Sequence, residues 1–148
     1  MSAKARSAAL LTIGWREWVA LPSLEIAHIK VKVDTGARSS ALHAHKLTIF
    51  EEAAQTWVHF IVHPLQESHT SSVDVTLPLH DMRMVKSSNG RSERRPVIRT
   101  DISLMGQRWP IDITLTRRDA MGFRMLLGRQ ALRGRFMVDV GRSFVAGT

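Results

Sequence analysis

Hydrophobic and polar residues alternate along much of this chain, which is the period of strands that bury one face. Ile29, Val31 and Val33 alternate with Lys30 and Lys32. Trp57, His59, Ile61 and His63 alternate with Val58, Phe60 and Val62, so both faces of that segment carry bulky groups. Val73, Val75, Leu77 and Leu79 interleave with Asp74, Thr76 and Pro78, and Ile111, Ile113 and Leu115 with Asp112, Thr114 and Thr116. Turn formers separate these runs: Pro22-Ser23, Glu51 to Gln55, Ser88-Asn89-Gly90 and Met105-Gly106-Gln107. Asn89-Gly90 carries the strongest hairpin signal, because both residue types tolerate positive φ. Helical periodicity is scarce, and the one helix predicted is short, Arg129 to Arg133, stopped by Gly134. The pattern predicts an all-β domain of short strands, closed or sandwiched to protect its edges. Residues 1–11 read as a tail and residues 12–148 as a single domain.

Composition narrows the chemistry. A chain of 148 residues is long enough for a sizeable core. It has no cysteine, which excludes disulfides, a thiolate nucleophile and cysteine-based zinc or iron–sulfur sites, and fits a reducing compartment. No apolar run approaches the roughly 18 residues of a membrane span, and Ala8–Leu11 is too short for the core of a signal peptide. A cytoplasmic protein with no membrane association is expected. The net charge is +8, and since acidic and basic side chains balance over residues 1–74, the whole excess lies in residues 75–148. Its densest part is the polar stretch from Lys86 to Arg95, where Lys86, Arg91, Arg94 and Arg95 face only Glu93. Acidic partners follow from that balance.

Two segments carry the candidate chemistry. Val33-Asp34-Thr35-Gly36-Ala37 stands where an alternating strand stops, so Asp34 falls at the mouth of a turn. Gly36 lets the backbone bring amide N–H groups toward the carboxylate, and the Thr35 hydroxyl can brace the turn. Turn chemistry alone also explains such a triplet. The second segment, from Phe123 to Leu132, runs from an apolar strand through Leu126-Leu127-Gly128-Arg129 into the short helix.

The two segments together, in this order and about ninety positions apart, resemble the retropepsin-like aspartic peptidases. Ile13 to Glu17, Val33 to Ala44, Arg94 to Thr100 and Met121 to Arg129 are similar, more narrowly, to a small bacterial family labelled "ATP-dependent zinc protease". Some of its members are linked to a glutamate ligase that modifies a ribosomal protein. The resemblance implies a closed, barrel-like acid-protease fold with one short C-terminal helix. It implies that Asp34, Thr35 and Gly36 are catalytic and that Leu126, Leu127, Gly128 and Arg129 form the loop packed behind them. A single Asp-Thr-Gly implies a homodimer in which two Asp34 carboxylates share a proton and divide the acid and base roles. Thr35 would then bond across the two-fold axis, and Arg129 would lie where relatives make inter-subunit contacts. Lys86 to Arg95 takes the place of the flap, so Asn89, Gly90, Arg91, Arg94 and Arg95, with Ala37 and Arg38, are the expected substrate contacts. An acidic peptide, such as an oligoglutamate tail, is the expected substrate. For Arg38 a substrate contact, a neighbouring carboxylate and a plain surface position stay open.

The family's label finds little in the residues. No Gly-Lys-Ser/Thr closes a phosphate-binding loop, and no histidine is followed by glutamate, so neither a Walker site nor HExxH exists. No cofactor is expected. An alternative zinc site would use His43 and His45 with His59 and His63, whose spacings put each pair on one strand face. With the turn at Glu51 to Gln55, His45 should pair near Val62 and His43 near Pro64, and only a one-residue slip brings the pairs to a common face. The other alternative is an inactive domain of the same fold that binds acidic protein or RNA. Trp15, Trp18, Trp57 and Trp109 lie within strand-like runs that favour burial over base stacking, so nucleic acid is not an expected partner.

Overall fold

Eleven strands form among the described residues of the computed structural model, which are 10–65, 72–86, 89–117 and 122–147. They are β1 (Leu11–Leu21), β2 (Ile26–Asp34), β3 (Ser40–His43), β4 (His45–Glu52), β5 (Gln55–Val62), β6 (Val73–Pro78), β7 (Asp81–Lys86), β8 (Ser92–Leu104), β9 (Gln107–Thr116), β10 (Met125–Gly128) and β11 (Phe136–Ser143). The one α-helix, α1, is Arg129–Leu132, and Gly134 follows it at φ 77°. Of the expected tail, residues 1–9 lie outside the described residues, while Leu11 already belongs to β1.

The main sheet runs β11-β1-β2-β10-β3-β9-β8-β7, and β1 also pairs with β8 through Ala20 and Ser103. That second pairing closes β1, β2, β10, β3, β9 and β8 into a six-stranded barrel with no free edge. Alternation supplies its interior: Ile29, Val31 and Val33 of β2, Ile98 and Ile102 of β8 and Ile111, Ile113 and Leu115 of β9 are buried. Met125 and Leu127 of β10 and Leu42 of β3 are wholly buried, closing the core where short strands run between longer ones. α1 adds Ala131 and Leu132, tied to β9 by Trp109 Nε1–H donating to Ala131 O at 3.1 Å. Trp109 is the one tryptophan that enters the core, whereas Trp15, Trp18 and Trp57 are half-buried. No helix among the described residues is long and apolar enough to cross a membrane.

β4, β5 and β6 form a separate three-stranded sheet. Val58, Phe60 and Val62 are fully buried on one face of β5, and Ile49 and Phe50 of β4 are exposed. Two hairpins use two-residue turns with positive φ, but neither is Asn89-Gly90. Ala53 and Ala54 turn β4 into β5 at φ 54° and 63°, and Met105 and Gly106 turn β8 into β9 at φ 53° and 73°. Between β7 and β8 the last paired residues are Lys86 and Ser92, so the loop is longer than two residues, and among its described residues only Gly90 has positive φ. Ser88 lies outside the described residues.

A buried carboxylate ties the C-terminal segment to β1. Glu17 is fully buried and accepts backbone N–H bonds from Gly14 at 2.6 Å, Val145 at 2.9 Å and Ala146 at 3.0 Å. Those bonds replace the water that an ionised side chain loses on burial.

Candidate active site

β2 ends on Asp34 and the chain turns at once. The N–H groups of Gly36 and Ala37 donate to Asp34 Oδ1 at 3.1 and 3.2 Å, and Ala37 N–H also reaches Asp34 O at 3.1 Å. The carboxylate is thereby fixed through one oxygen, leaving Oδ2 without a hydrogen-bond partner among the described residues. Asp34 is half-buried, and Thr35 and Gly36 are exposed. Gly36 has no positive φ, so the turn does not use its left-handed freedom. Its missing side chain keeps space open beside the carboxylate, since a Cβ there would stand 3.4 Å from Asp34 Oδ1.

The Leu126–Arg129 segment supports this turn from behind. β10 runs parallel to β2, with Gly128 opposite Asp34, and antiparallel to β3. Leu127 is fully buried and Leu126 half-buried, so the strand is anchored in the core. Gly128 N–H donates to Ser40 Oγ at 3.1 Å, Arg129 N–H to Ala37 O at 2.9 Å and Gln130 N–H to Arg38 O at 3.2 Å. Arg129 Nη1 donates to Gly36 O at 3.1 Å, so within one chain this arginine braces the turn itself. A Cβ on Gly128 would lie 2.5 Å from Ser39 C and O, closer than real contacts allow, so only glycine fits. Ser40 and Thr114, not singled out from the sequence, complete the support: both are buried, and Thr114 Oγ1 donates to Ser40 O at 3.1 Å. For Thr114 the signal was a hydroxyl between the core residues Ile113 and Leu115; Ser40, preceded by the half-buried Ser39, carried none.

Asp34, Thr35, Gly36, Ala37, Arg38, Gly128 and Arg129 are therefore one structural unit. The hairpin residues Asn89, Gly90, Arg91, Arg94 and Arg95 form another, at the end of β7 and β8. Asn89 Oδ1 accepts Arg91 N–H at 3.1 Å. Strand alternation separates the two arginines read together from the sequence. Arg94 shares the β8 face of Ile98 and is exposed, whereas Arg95 lies on the other face, half-buried, 3.6 Å from Glu93. Arg95 is thus partly neutralised, leaving Arg94 as the more available cation of the pair.

The one-residue slip between β4 and β5 does occur. His45 pairs with Ile61, not Val62, because the register shifts between His45 and Thr48, where Lys46 takes φ 50°. The shift gathers His43, His45 and His63, with ring centroids 4.3 and 4.4 Å apart, while His59 lies instead 4.0 Å from Asp74. Arg124 Nη1 lies 3.1 Å from His43 Nδ1, and His43 Nε2 lies 3.1 Å from Arg117 O. Since a guanidinium only donates, Nδ1 accepts and Nε2 carries the proton. Both ring nitrogens of His43 are engaged, so its donor set does not suit a metal. Among the described residues no group of three or more His, Asp or Glu is arranged to hold one.

A small closed β-barrel, an Asp-Thr-Gly turn at the end of an inner strand and a glycine-bearing strand packed behind it define the retropepsin-like fold. The model of the RimB-like family, described as "retropepsin-like aspartic endopeptidase RimB", matches residues 12–148. This chain belongs to that family. It is 44% identical over 135 residues to a protein of Shewanella pealeana named "probable alpha-L-glutamate ligase", matching 91% of this chain and 30% of that protein. A protein of the same name from Desulfotalea psychrophila is 46% identical over 127 residues, which is 86% of this chain and 27% of that one. The chain thus spans less than a third of the length of these relatives. Among solved structures, Lpg0085 of Legionella pneumophila, described as of unknown function, superposes with a TM-score of 0.72 at 27% identity over 92% of this chain and 98% of that one.

Proposed function

We propose that this chain is an aspartic peptidase that works as a homodimer, each copy contributing Asp34 to one catalytic pair. The observation that carries the reading is the Asp34 turn itself: a carboxylate held through one oxygen by two backbone N–H groups, beside a glycine that leaves room for a ligand. Peptide hydrolysis needs one group to take a proton from water and another to give one to the carbonyl oxygen and then to the leaving amine. A single carboxylate per chain supplies one of these, and a second copy supplies the other. Two carboxylates held close share a proton, so one acts as base while its neighbour acts as acid.

The substrate follows from charge. Arg38 is exposed just after the turn, Arg94 is exposed on the hairpin, and the chain's positive excess lies in the half that carries this hairpin. Relatives that contain this region are named for glutamate ligation. An acidic peptide, with a glutamate-rich tail as the leading candidate, fits both. The test is cleavage of glutamate-rich and neutral peptides from acidic to neutral pH by the wild type and Asp34→Asn. Wild type should cleave the glutamate-rich peptide faster and Asp34→Asn should cleave neither. Undiminished cleavage by Asp34→Asn would overturn the assignment, and equal rates on both peptides would overturn the substrate class.

A further inference from the structure

A cavity of about 380 Å³ opens on the outside of the barrel, between β8, β9 and α1. That volume is within the usual range of small-ligand sites, roughly 300–1,000 Å³. Arg99, Arg133 and Arg135 line it, with Asp112 as the only acidic lining residue among those described. Asp112 compensates Arg99, since its Oδ1 accepts Arg99 Nη1 at 2.8 Å, while its Oδ2 accepts Arg83 Nη2 at 2.9 Å from outside the cavity, so the cavity's uncompensated charge is that of Arg133 and Arg135. Arg135 is held by uncharged partners, with Nη1 on Gln107 Oε1 at 3.1 Å and its guanidinium 4.6 Å from the centre of the Trp109 ring. It therefore keeps its full charge in a fixed position. Arg133 is exposed, directly after α1, with no acidic partner among the described residues. The Trp109–Ala131 bond locks α1 to β9, so the walls carrying these cations are set before any ligand arrives.

We infer that this cavity is a second binding site, for the carboxylates of an acidic peptide, separate from the Asp34 turn. Ser39 and Gln130, also in its lining, offer neutral hydrogen-bond partners between the guanidiniums. Arginine matches carboxylate by its planar donor pair, and Arg133 and Arg135 on one cavity wall, with Arg99 shared with Asp112 on the other, recognise successive carboxylates on one chain better than a single anion. The choice of a peptide as occupant rests on the peptidase reading. Ser39 and Gln130 belong to the two segments that hold the turn, so a peptide anchored here lies on the outer side of the same support and adds affinity for long acidic chains without touching the reacting bond.

The experiment measures binding of fluorescein-labelled octaglutamate and diglutamate to the Asp34→Asn protein by anisotropy at low salt. Arg133→Glu is compared with Arg142→Glu, an exposed charge reversal on β11, with thermal melts confirming that both variants fold. Arg133→Glu should weaken octaglutamate binding at least about tenfold and leave diglutamate within about twofold, and Arg142→Glu should change either by less than about twofold. Arg99→Gln, which keeps a donor opposite Asp112, should also weaken octaglutamate. Equal losses for Arg133→Glu and Arg142→Glu would mean only overall charge is sensed and would overturn the site. Tighter Arg133-dependent binding of an oligonucleotide of equal charge would overturn the peptide as its occupant. Because binding is read without hydrolysis, Arg133-dependent binding together with no cleavage of any peptide by the wild type would sink the peptidase reading and leave the cavity assignment standing.

Discussion

Gly128→Ala puts the support of the Asp34 turn under direct strain. The added Cβ would meet Ser39 C and O at 2.5 Å and Arg38 O at 2.9 Å, all backbone atoms that no rotamer change can move aside. Reaching an ordinary contact of 3.4 Å requires a retreat of about 0.9 Å by one of two hydrogen-bonded segments. Overpacking of this kind costs about 1–3 kcal/mol. For a domain of this size that lowers Tm by roughly 2–12 °C. The same retreat pulls the Arg129 and Gln130 N–H groups off Ala37 O and Arg38 O and so moves the turn that holds Asp34. A 1 Å misplacement of a catalytic group costs on the order of 100-fold in rate, so activity should fall further than stability does. Gly36→Ala is the contrast: its Cβ finds room at 3.4 Å from Asp34 Oδ1 and its φ is not positive, so Tm should stay within about 2 °C while the added methyl fills the space beside the carboxylate that a ligand would use. Calorimetry and an Asp34-dependent cleavage assay on the same preparations give both quantities. Wild-type Tm and rate in Gly128→Ala would refute the close approach on which the reasoning rests.

Three further outcomes follow from the fold. Glu17→Gln removes the charge that accepts three backbone N–H groups and should cost about 2–4 kcal/mol, with hydrogen exchange at Val145 and Ala146 rising most; unchanged protection there would contradict the role given to Glu17. Replacing Ala53-Ala54 by Asn-Gly relieves two left-handed alanines and should stabilise the protein by about 1–2 kcal/mol, read as a higher urea midpoint with unchanged m; no rise would mean the turn is not strained. Burial raises the pKa of Asp112, but hydrogen bonds from Arg99 and Arg83 outweigh it and leave the group below the ordinary value of 3.8. Its contribution to stability is therefore complete above about pH 4 and is lost as pH falls through the depressed value. The Tm gap between wild type and Asp112→Asn should be widest near neutral pH and close as pH falls through the lowered value, and a gap that widens in acid would reverse that sign.

What could be read from the sequence was set by burial. β2, β5 and β6 announce themselves by alternation because one face of each is buried and the other more exposed, and β9 does so by residue type, its second face carrying Asp112, Thr114 and Thr116 although the two threonines are buried. β3 and β10 do not, since most of their residues are buried on both faces and a period of two disappears. β4 is hidden for the opposite reason, being exposed along most of its length. The Asp34 turn and Gly128 were legible because the turn uses a carboxylate that accepts two backbone N–H groups and the close approach of Gly128 to Ser39 admits only glycine. The shift at Lys46 was not, because nothing in the residues from His45 to Thr48 names the position where a ladder gains a residue. The arginine cavity was also hidden: its cations come from β8 and from the turn between α1 and β11, and only barrel closure brings them together.

The central claim, a catalytic pair shared between two copies, is tested most directly by mixing subunits. Wild type and Asp34→Asn are combined in equal amounts, allowed to exchange, and assayed on a glutamate-rich peptide at constant total protein. If both Asp34 carboxylates are needed, only pairs of wild-type chains work, and activity falls to about a quarter of the unmixed wild type. Activity that falls only to about a half, in proportion to the wild-type chains present, would contradict a shared site.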